Sequence, residues 1–302
     1  MSAATTTAAE VTKVSLANGR SKDRGLGSTL FLSALWFSLF FGVAVLATLI
    51  ISTAMDGAAR FDANLFTQYE SQIREESTGF RAGILGSLWL MVTTAVFAVP
   101  LGIAAALYLE EFADNTRWWN RLIELNLQNL AAVPSVIYGM LAVAVLAMAS
   151  VERTNTVIGG ALALALLILP VIIITTREAV RAVPTDIRHA SLGLGATVWQ
   201  TTWRQTLPSA IPGIATGTIL GISRAIGEAA PLVVVGFSFV AWDPSGLTSE
   251  ITALPIQIYQ LATHPKPEMQ TAASAAIVLL LVMVLGLNAV AIFIRNKFTR
   301  SW

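Results

Sequence analysis

Six long apolar segments divide the chain, separated by shorter stretches in which polar residues are frequent. A membrane-spanning helix needs about 20 apolar residues, because each residue rises about 1.5 Å across a hydrocarbon core of about 30 Å. Backbone polar groups in lipid must be satisfied within the segment, which favours helix for each one. The pattern therefore predicts an all-α, polytopic membrane protein with six transmembrane helices. The segments are 29–54, 83–108, 130–150, 156–176, 211–241 and 272–294.

The polar stretches predict how the chain is organised around these helices. We expect a disordered tail over 1–28, an outer loop over 55–82 and a short final tail over 295–302. The remaining segment, 83–294, would form one core of five helices. A cleavable signal peptide is the alternative interpretation of the N-terminus, but the first apolar run exceeds a signal core of roughly 7–15 residues.

The basic residues predict the orientation. With the N-terminus inside, thirteen of the 19 Lys and Arg residues lie in cytoplasmic segments, five lie outside, and Arg224 lies within a span. Cytoplasmic loops of membrane proteins are enriched in Lys and Arg. Both termini are therefore expected to be cytoplasmic.

Composition narrows the chemistry further. The chain is 55% hydrophobic and 12% charged, has no cysteine and shows no basic patch that would suit a nucleic acid. His189 and His264 are far apart in sequence, which argues against a histidine metal centre. No Gly-Lys dipeptide occurs, so the chain lacks a Walker phosphate loop. We expect no cofactor, no metal and no ATP hydrolysis by this chain alone.

The fifth span carries an unusual charged pair. At 31 residues it would be about 46 Å long as one helix, and Pro231 within it removes a backbone donor, so we expect a break near 227–231. Arg224 and Glu228 are four residues apart and should share a helix face and pair. Gly213, Gly217 and Gly221 precede them in two overlapping G-x-x-x-G units, a pattern that lets another helix approach closely on that same face.

Two interpretations of this pair stay open. Charged residues inside a membrane are functional by default, and a guanidinium suits phosphate and other tetrahedral oxyanions, so Arg224 could line a solute path with Glu228 holding it. A buried ion pair that fixes packing is the alternative. Gly227 fits a hinge or packing position better than a ligand. Pro134 and Ser135, at the start of the third span, could offer helix N–H groups to an anion, or could be ordinary packing residues.

The loop 177–210 predicts a compact cytoplasmic feature. Pro184 and Asp186 favour a helix start, giving one short helix over 185–192. Gly193 and Gly195 would end that helix by allowing left-handed backbone, and a second helix over 196–206 would place two tryptophans on one face. Such a hairpin could fit a cleft on a partner, or it could lie on lipid headgroups, where Trp is frequent.

This loop resembles the E-A-A-x3-G-x9-I-x-L-P loop of bacterial ABC importer permeases. The matching residues are Ala190, Gly195, Leu207 and Pro208, whereas His189 stands for the Glu, Ser191 for the second Ala and Gln205 for the Ile. The missing Glu leaves any acidic contact at that position without support.

Three further stretches resemble the permease subunits of ABC-type phosphate importers, and the PstA type more than the PstC type. The stretches are Ala132-Val-Pro-Ser-Val-Ile-Tyr-Gly139, Arg224-Ala-Ile-Gly-Glu-Ala-Ala-Pro-Leu232 and Leu254-Pro-Ile-Gln-Ile-Tyr259. Many relatives carry an Arg before the two threonines at the end of span four, where this chain has Ile174, so no second arginine role is carried over.

The resemblance implies a type I ABC importer fold, a bacterial plasma-membrane location and a set of partners. These partners are a PstC-like second permease subunit, two copies of a PstB-like ATP-binding subunit and a PstS-like extracytoplasmic phosphate-binding protein. The loop 177–210 would dock on the ATP-binding subunit. Rival functions are an ABC permease for another oxyanion such as molybdate or sulfate, the PstC-like subunit itself, and, from other classes, a channel, a membrane sensor or an intramembrane enzyme.

Remaining polar residues are predicted to be structural. Glu110, Glu111 and Asp114 are expected in a solvated cytoplasmic turn, and Glu70, Glu75 and Glu76 in a structural outer loop. The outer segment 255–263 is expected to rest on the membrane surface, with contact to the binding protein as the alternative.

Overall fold

The computed structural model describes residues 26–71, 73–74, 77–114 and 116–298, and this part of the chain is built from helices. The all-α prediction is confirmed. The predicted N-terminal tail lies outside the described residues up to position 25, and so do Glu75, Glu76 and the last four residues of the predicted C-terminal tail.

The described residues divide into two units, the first ending at Ser52 and the second beginning at Thr53. The described part of the first unit is a single helix, which begins at Leu26 and continues into the second unit as far as Gly57 (α1). It contains the whole predicted first span and is long and apolar enough to cross a membrane.

The second unit contains the remaining helices, joined by mostly short connections. Two of its α-helices are extended by a π-helical turn, one after the end of α3 and one before the start of α9. The α-helices are α2 (Asn64–Thr67), α3 (Arg81–Leu107), α4 (Trp118–Ala131), α5 (Ser135–Met148), α6 (Val157–Arg181), α7 (Thr185–Gly193), α8 (Val198–Thr201), α9 (Leu207–Ile226), α10 (Ala230–Val235), α11 (Leu254–Ala262) and α12 (Pro267–Phe298). The first π turn is Tyr108–Phe112 and the second π turn is Thr202–Thr206.

The structure supports fewer straight spans than the sequence predicts. Among the described residues, four helices are long and apolar enough to cross a membrane, and a fifth crossing results if the pair α4 and α5, bent by 114°, counts as one. The predicted third span, 130–150, therefore corresponds to the 14-residue α5 and the end of α4. The predicted fifth span, 211–241, is divided between α9 and α10, and six crossings remain a prediction.

Proline accounts for the bend between α4 and α5. Pro134 precedes the first residue of α5 and has no backbone N–H to continue the α4 ladder. The Tyr138 hydroxyl donates to the Leu130 carbonyl at 2.6 Å, which ties the two arms of the bend together. The bend is thus fixed by a side chain that is 4% exposed.

Helix α6 lies at the centre of the second unit, and small residues let its neighbours approach. A Cβ built on Gly217 would lie 2.1 Å from the Thr175 Oγ1, and one on Gly213 would lie 2.6 Å from the Ala179 Cβ. The predicted close approach at the glycine ridge is confirmed, with α6 as the partner helix. The ridge continues through the buried Ala225, whereas Arg224 is exposed, so the expectation that Arg224 shares this face was wrong.

Helix α11 is inserted into the protein rather than resting on its surface. Leu254, Ile256 and Gln257 are at most 1% exposed. The Leu254 N–H donates to the Ser87 hydroxyl of α3 at 2.9 Å. The expected position of 255–263 on the membrane surface is therefore corrected: its apolar face is covered by the protein itself.

Candidate functional site

The centre of the candidate site is a break in the helix at the end of α9, after Ile226. α9 ends at Ile226 with Gly227 as its C-cap, and α10 restarts at Ala230 with Pro231 in its first turn. The predicted break near 227–231 is confirmed. Its physical cause is Pro231, which has no N–H to donate to the Gly227 carbonyl in a continued helix and is instead accommodated in the first turn of a new one.

The break separates the two charges that the sequence predicted to pair. No ion pair joins Arg224 and Glu228 in the part of the chain that the structure describes. The spacing of four residues brings side chains together only where the helix continues, and it ends two residues after Arg224. Arg224 is exposed and Glu228 is half-buried. The predicted pairing is therefore wrong, and both charges are available to other groups.

The start of α5 lies against this break. A Cβ on Gly139 would lie 2.6 Å from the Pro231 carbonyl oxygen, so the two backbones are in direct contact. Tyr138 lies close enough to Arg224 for a Coulombic interaction between them. The structure thus brings the first turn of α5, with Pro134 exposed as its N-cap and Ser135 half-buried, to the same region as the unpaired arginine.

The residues near Arg224 in the chain differ in how firmly they are packed. Ser223, the preceding residue, makes a short hydrogen bond with the Asn288 side chain of α12, which fixes the last turn of α9. Gly227 has open space beside it, since a Cβ there would meet nothing within 4 Å. The described residues therefore show no packing against Gly227, and a hinge role for it stays a prediction.

The loop 177–210 forms the hairpin that the sequence predicts. α7 covers Thr185–Gly193, and Gly195 adopts a left-handed φ of +85°. The rings of Trp199 and Trp203 lie 5.4 Å apart between centroids, on one face as expected. The second helix differs from the prediction, because α8 is short and passes through the second π turn directly into α9.

The residues that align with the importer loop, whether identical or replaced, take different positions in this hairpin. His189 and Ala190 are exposed, and the Ser191 hydroxyl lies 2.9 Å from the Thr201 hydroxyl, which joins α7 to α8. Leu207 packs against a small apolar cluster, and Pro208 is exposed in the first turn of α9. A hollow of about 490 Å³ opens beside them; it is lined by Ile187, Ala190, Ser191, Leu194, Ala196, Gln200, Arg204 and Gln205.

Sequence reasoning missed a network of ion pairs at the base of this loop. Glu110 contacts Arg177 at 3.1 Å and Arg181 at 2.6 Å, and Glu124 contacts the same two arginines at 3.1 and 3.6 Å. The Arg177 side chain is only 8% exposed and that of Glu110 13%. The predicted solvated turn at Glu110 and Glu111 is therefore wrong. The available signal was the spacing of Arg177 and Arg181 by one helical turn at the end of an apolar span.

The start of α3 and the start of α11 each lie near a further polar contact. Arg81 and Asp243 form an exposed ion pair at 2.6 Å, and this hydrogen-bonded guanidinium holds the pKa of the Asp243 carboxyl below its usual range. Glu70 is 3% exposed and accepts a hydrogen bond from the Gln257 amide at 3.0 Å. Burial raises the pKa of the Glu70 carboxyl, because the charged form loses its hydration.

Within the described residues, His, Asp and Glu form no group of three or more that could hold a metal ion. The chemistry that the site offers is thus that of a guanidinium, a carboxylate and helix-end backbone groups around a break. Such an arrangement can bind and release an anion by charge and hydrogen bonding alone.

Comparisons with known proteins agree on one family. Residues 98–301 match the profile of the family described as binding-protein-dependent transport system inner membrane component. The phosphate transport system permease protein PstA of Yersinia pestis is 32% identical over 262 residues, which is 86% of this chain and 88% of the relative. The probable ABC transporter permease protein YqgI of Bacillus subtilis is 30% identical over 264 residues, covering 82% and 88%.

Solved structures with a similar fold come from ABC transporters. A chain of a bacterial ABC transporter for the acidic polysaccharide alginate gives a TM-score of 0.64 at 16% identity and covers 90% of this chain and 96% of its own. A chain of the MetNI methionine ABC transporter in an inward-facing conformation gives a TM-score of 0.59 at 18% identity, covering 72% and 95%. At these identities the likeness establishes the fold.

Proposed function

The chain belongs to the family of binding-protein-dependent transport system inner membrane components, and on this premise we propose that it is the PstA-type permease subunit of an ATP-driven importer of inorganic phosphate. The observation that carries the proposal is the identity of 32% with a PstA protein over 86% of the chain. It is a multi-pass membrane protein, and a bacterial plasma membrane is the proposed location.

The geometry of the break supports a role in moving an anion. Arg224 has no carboxylate partner among the described residues, although an unpaired charge within a membrane span is expensive unless it faces a water-filled cavity or another subunit. A guanidinium presents planar donors that match phosphate oxygens. We infer that Arg224 faces the translocation path, at the boundary with a second, PstC-like permease subunit, and that Pro134 and Ser135 border the same path.

ATP would be bound and hydrolysed by partner subunits. The exposed hairpin of α7 and α8 supports docking on an ATP-binding subunit, since Leu194 is 90% exposed and Trp199 is 59% exposed at its tip. Two copies of that subunit and an extracytoplasmic phosphate-binding protein complete the proposed assembly. This chain itself would be a transport subunit and not an enzyme.

The test is phosphate uptake into vesicles that contain the whole assembly, comparing wild type with Arg224→Gln. We expect uptake to fall at least about tenfold, because a hydrogen bond to a charged group contributes about 1.5–3 kcal/mol, while ATP hydrolysis and assembly continue. Arg121→Gln is the matched control, an exposed arginine on α4 that lies outside the break.

Sulfate and molybdate are measured in the same vesicles. Uptake of one of these instead of phosphate would assign the chain to a related oxyanion importer. Unchanged phosphate uptake by Arg224→Gln would remove Arg224 from the path, and the solute assignment would then rest on the relatives alone.

A further inference from the structure

Arg188 connects three elements at the point where the hairpin meets the membrane core. It lies in the middle of α7 and its Nη2 donates to the Val180 carbonyl, in the last turn of α6, at 2.7 Å. The same Nη2 lies 3.0 Å from a carboxylate oxygen of Glu111, in the first π turn. The two side chains are 21% and 9% exposed, so the contact is largely withdrawn from water.

This contact is the single ion pair that α7 makes among the described residues. The other polar link of α7, between Ser191 and Thr201, stays within the hairpin. An apolar contact also joins the hairpin to the first π turn, since the ring of Phe112 and the ring of Trp199, in α8, lie 5.9 Å apart between centroids. Apart from the chain itself, which runs from α6 into α7 and from α8 into α9, α7 meets the core through Arg188 and the first π turn.

The two helix ends that receive Arg188 are themselves locked together. Glu110, beside Glu111, pairs with Arg177 and Arg181 in the last turns of α6. Glu124 adds α4 to the same network. The π turn after α3, the middle of α4 and the end of α6 thus form one charged cluster, and a force applied at Glu111 and Val180 acts on all three helices at once.

The pair is ionic without being a fully aligned hydrogen bond. The Glu111 Oε1 and the Arg188 Nε are both buried and have no hydrogen-bond partner. The directional bond of the guanidinium goes to Val180 instead. Coulombic attraction depends on distance rather than on angle, so the attraction between Arg188 and Glu111 does not require the alignment that the bond to Val180 has.

We propose that Glu111, Arg188 and the Val180 carbonyl form the joint through which the hairpin moves the membrane core, which makes both side chains positioning residues for transport. The proposal rests on the proposed function, because it assigns the hairpin to an ATP-driven importer. Without the joint, an ATP-binding subunit would still hydrolyse ATP and move α7, but less of that movement would reach the spans.

The experiment measures solute uptake and ATP hydrolysis in parallel, in vesicles that contain the complete assembly. The variants are Glu111→Gln, Arg188→Gln, Arg188→Lys and the double variant Glu111→Gln with Arg188→Gln. The matched controls are Glu178→Gln, an exposed carboxylate on α6, and Arg117→Gln, from an exposed pair with Asp114. The readout is the ratio of solute imported to ATP hydrolysed.

We expect this ratio to fall about fivefold or more in each single Gln variant and to stay near wild type in both controls. The double variant should be no worse than the singles, because both substitutions remove one joint. Arg188→Lys keeps the charge and should retain an intermediate ratio, which also covers the case in which a Gln variant fails to assemble.

A parallel loss of assembly, hydrolysis and uptake with an unchanged ratio, in Arg188→Lys as well as the Gln variants, would overturn the joint and leave a packing role. Additive losses in the double variant would also overturn it. The ratio is calculated on whichever of phosphate, sulfate and molybdate is imported. Failure of the phosphate assignment is therefore separate from failure of the joint.

Discussion

Two regions of this protein use the same residue types in opposite ways. At the C-terminal ends of α3 and α6, Glu110 and Arg177 lie 3.1 Å apart and both are largely buried. At the break after α9, Arg224 and Glu228 are only four residues apart in sequence, yet no ion pair joins them among the described residues. In the first region, long-range contacts satisfy the charges within the chain; in the second, the end of a helix keeps neighbouring charges apart.

The difference indicates which charges stabilise the fold and which are available to a solute. A carboxylate and a guanidinium that satisfy one another have little capacity left for a passing anion. An arginine without a carboxylate partner keeps its donors available for phosphate oxygens. Spacing along the sequence does not distinguish the two cases, because the helix must continue for residues four apart to meet.

The largest expected difference is between the stabilities of Arg177→Gln and Arg224→Gln, measured by thermal unfolding in detergent. Removing Arg177 leaves Glu110 buried with one partner fewer, and we expect a loss of about 3 kcal/mol. Arg224→Gln, at an exposed position, should change the stability by no more than about 0.5 kcal/mol. Equal losses in the two variants would show that Arg224 is as structural as Arg177.

Arg181→Gln tests whether burial or distance decides the strength of a pair. Arg181 lies closer to Glu110 than Arg177 does, at 2.6 Å, but its side chain is 50% exposed. Solvent screening should therefore limit the loss of stability to about 0.5 kcal/mol. A loss as large as that of Arg177→Gln, measured in the same thermal assay, would mean that distance dominates.

The smallest effect concerns Glu70, a buried carboxyl whose partner is an amide. Because burial raises its pKa, the folded protein holds the proton more tightly than the unfolded chain does. This stabilisation is fully present below the ordinary pKa of 4.5 and is lost as pH rises through the folded-state value. In Glu70→Gln, we expect thermal midpoints that decline less over this range, with stabilities within about 1 kcal/mol of wild type at acid pH. A thermal midpoint that declines with pH as steeply in Glu70→Gln as in wild type would contradict this prediction.

Local patterns predicted much of the fold. The glycines at 213, 217 and 221 predicted a close helix approach, Pro231 predicted the break, and Gly195 predicted the turn of the hairpin. Each of these depends on the backbone of a few neighbouring residues. The bend between α4 and α5 was missed as a bend, because the apolar run 130–150 was interpreted as a single helix.

The charged contacts could not be predicted in the same way. Glu110 and Arg177 are 67 residues apart, and their meeting depends on how α3 and α6 are packed. The Arg224–Glu228 prediction failed for a local reason, since the pairing needs one helix across 224–228 and the break, which was itself predicted near 227–231, separates the two residues. The sequence identified the residues at the break correctly but not their relation to one another.

The ion pairs of Glu110 and Glu111 also depend on the number of residues in the first π turn. In a π turn each hydrogen bond spans one residue more than in an α-helix. Loss of Leu109 from this turn would restore the α-helix and rotate the following side chains by about 100°. Glu110 and Glu111 would then point away from the arginines of α6 and α7 without any change in their identity. A relative that lacks this extra residue must meet its arginines with acidic residues at other positions, so an insertion or deletion here alters the electrostatics as a substitution would.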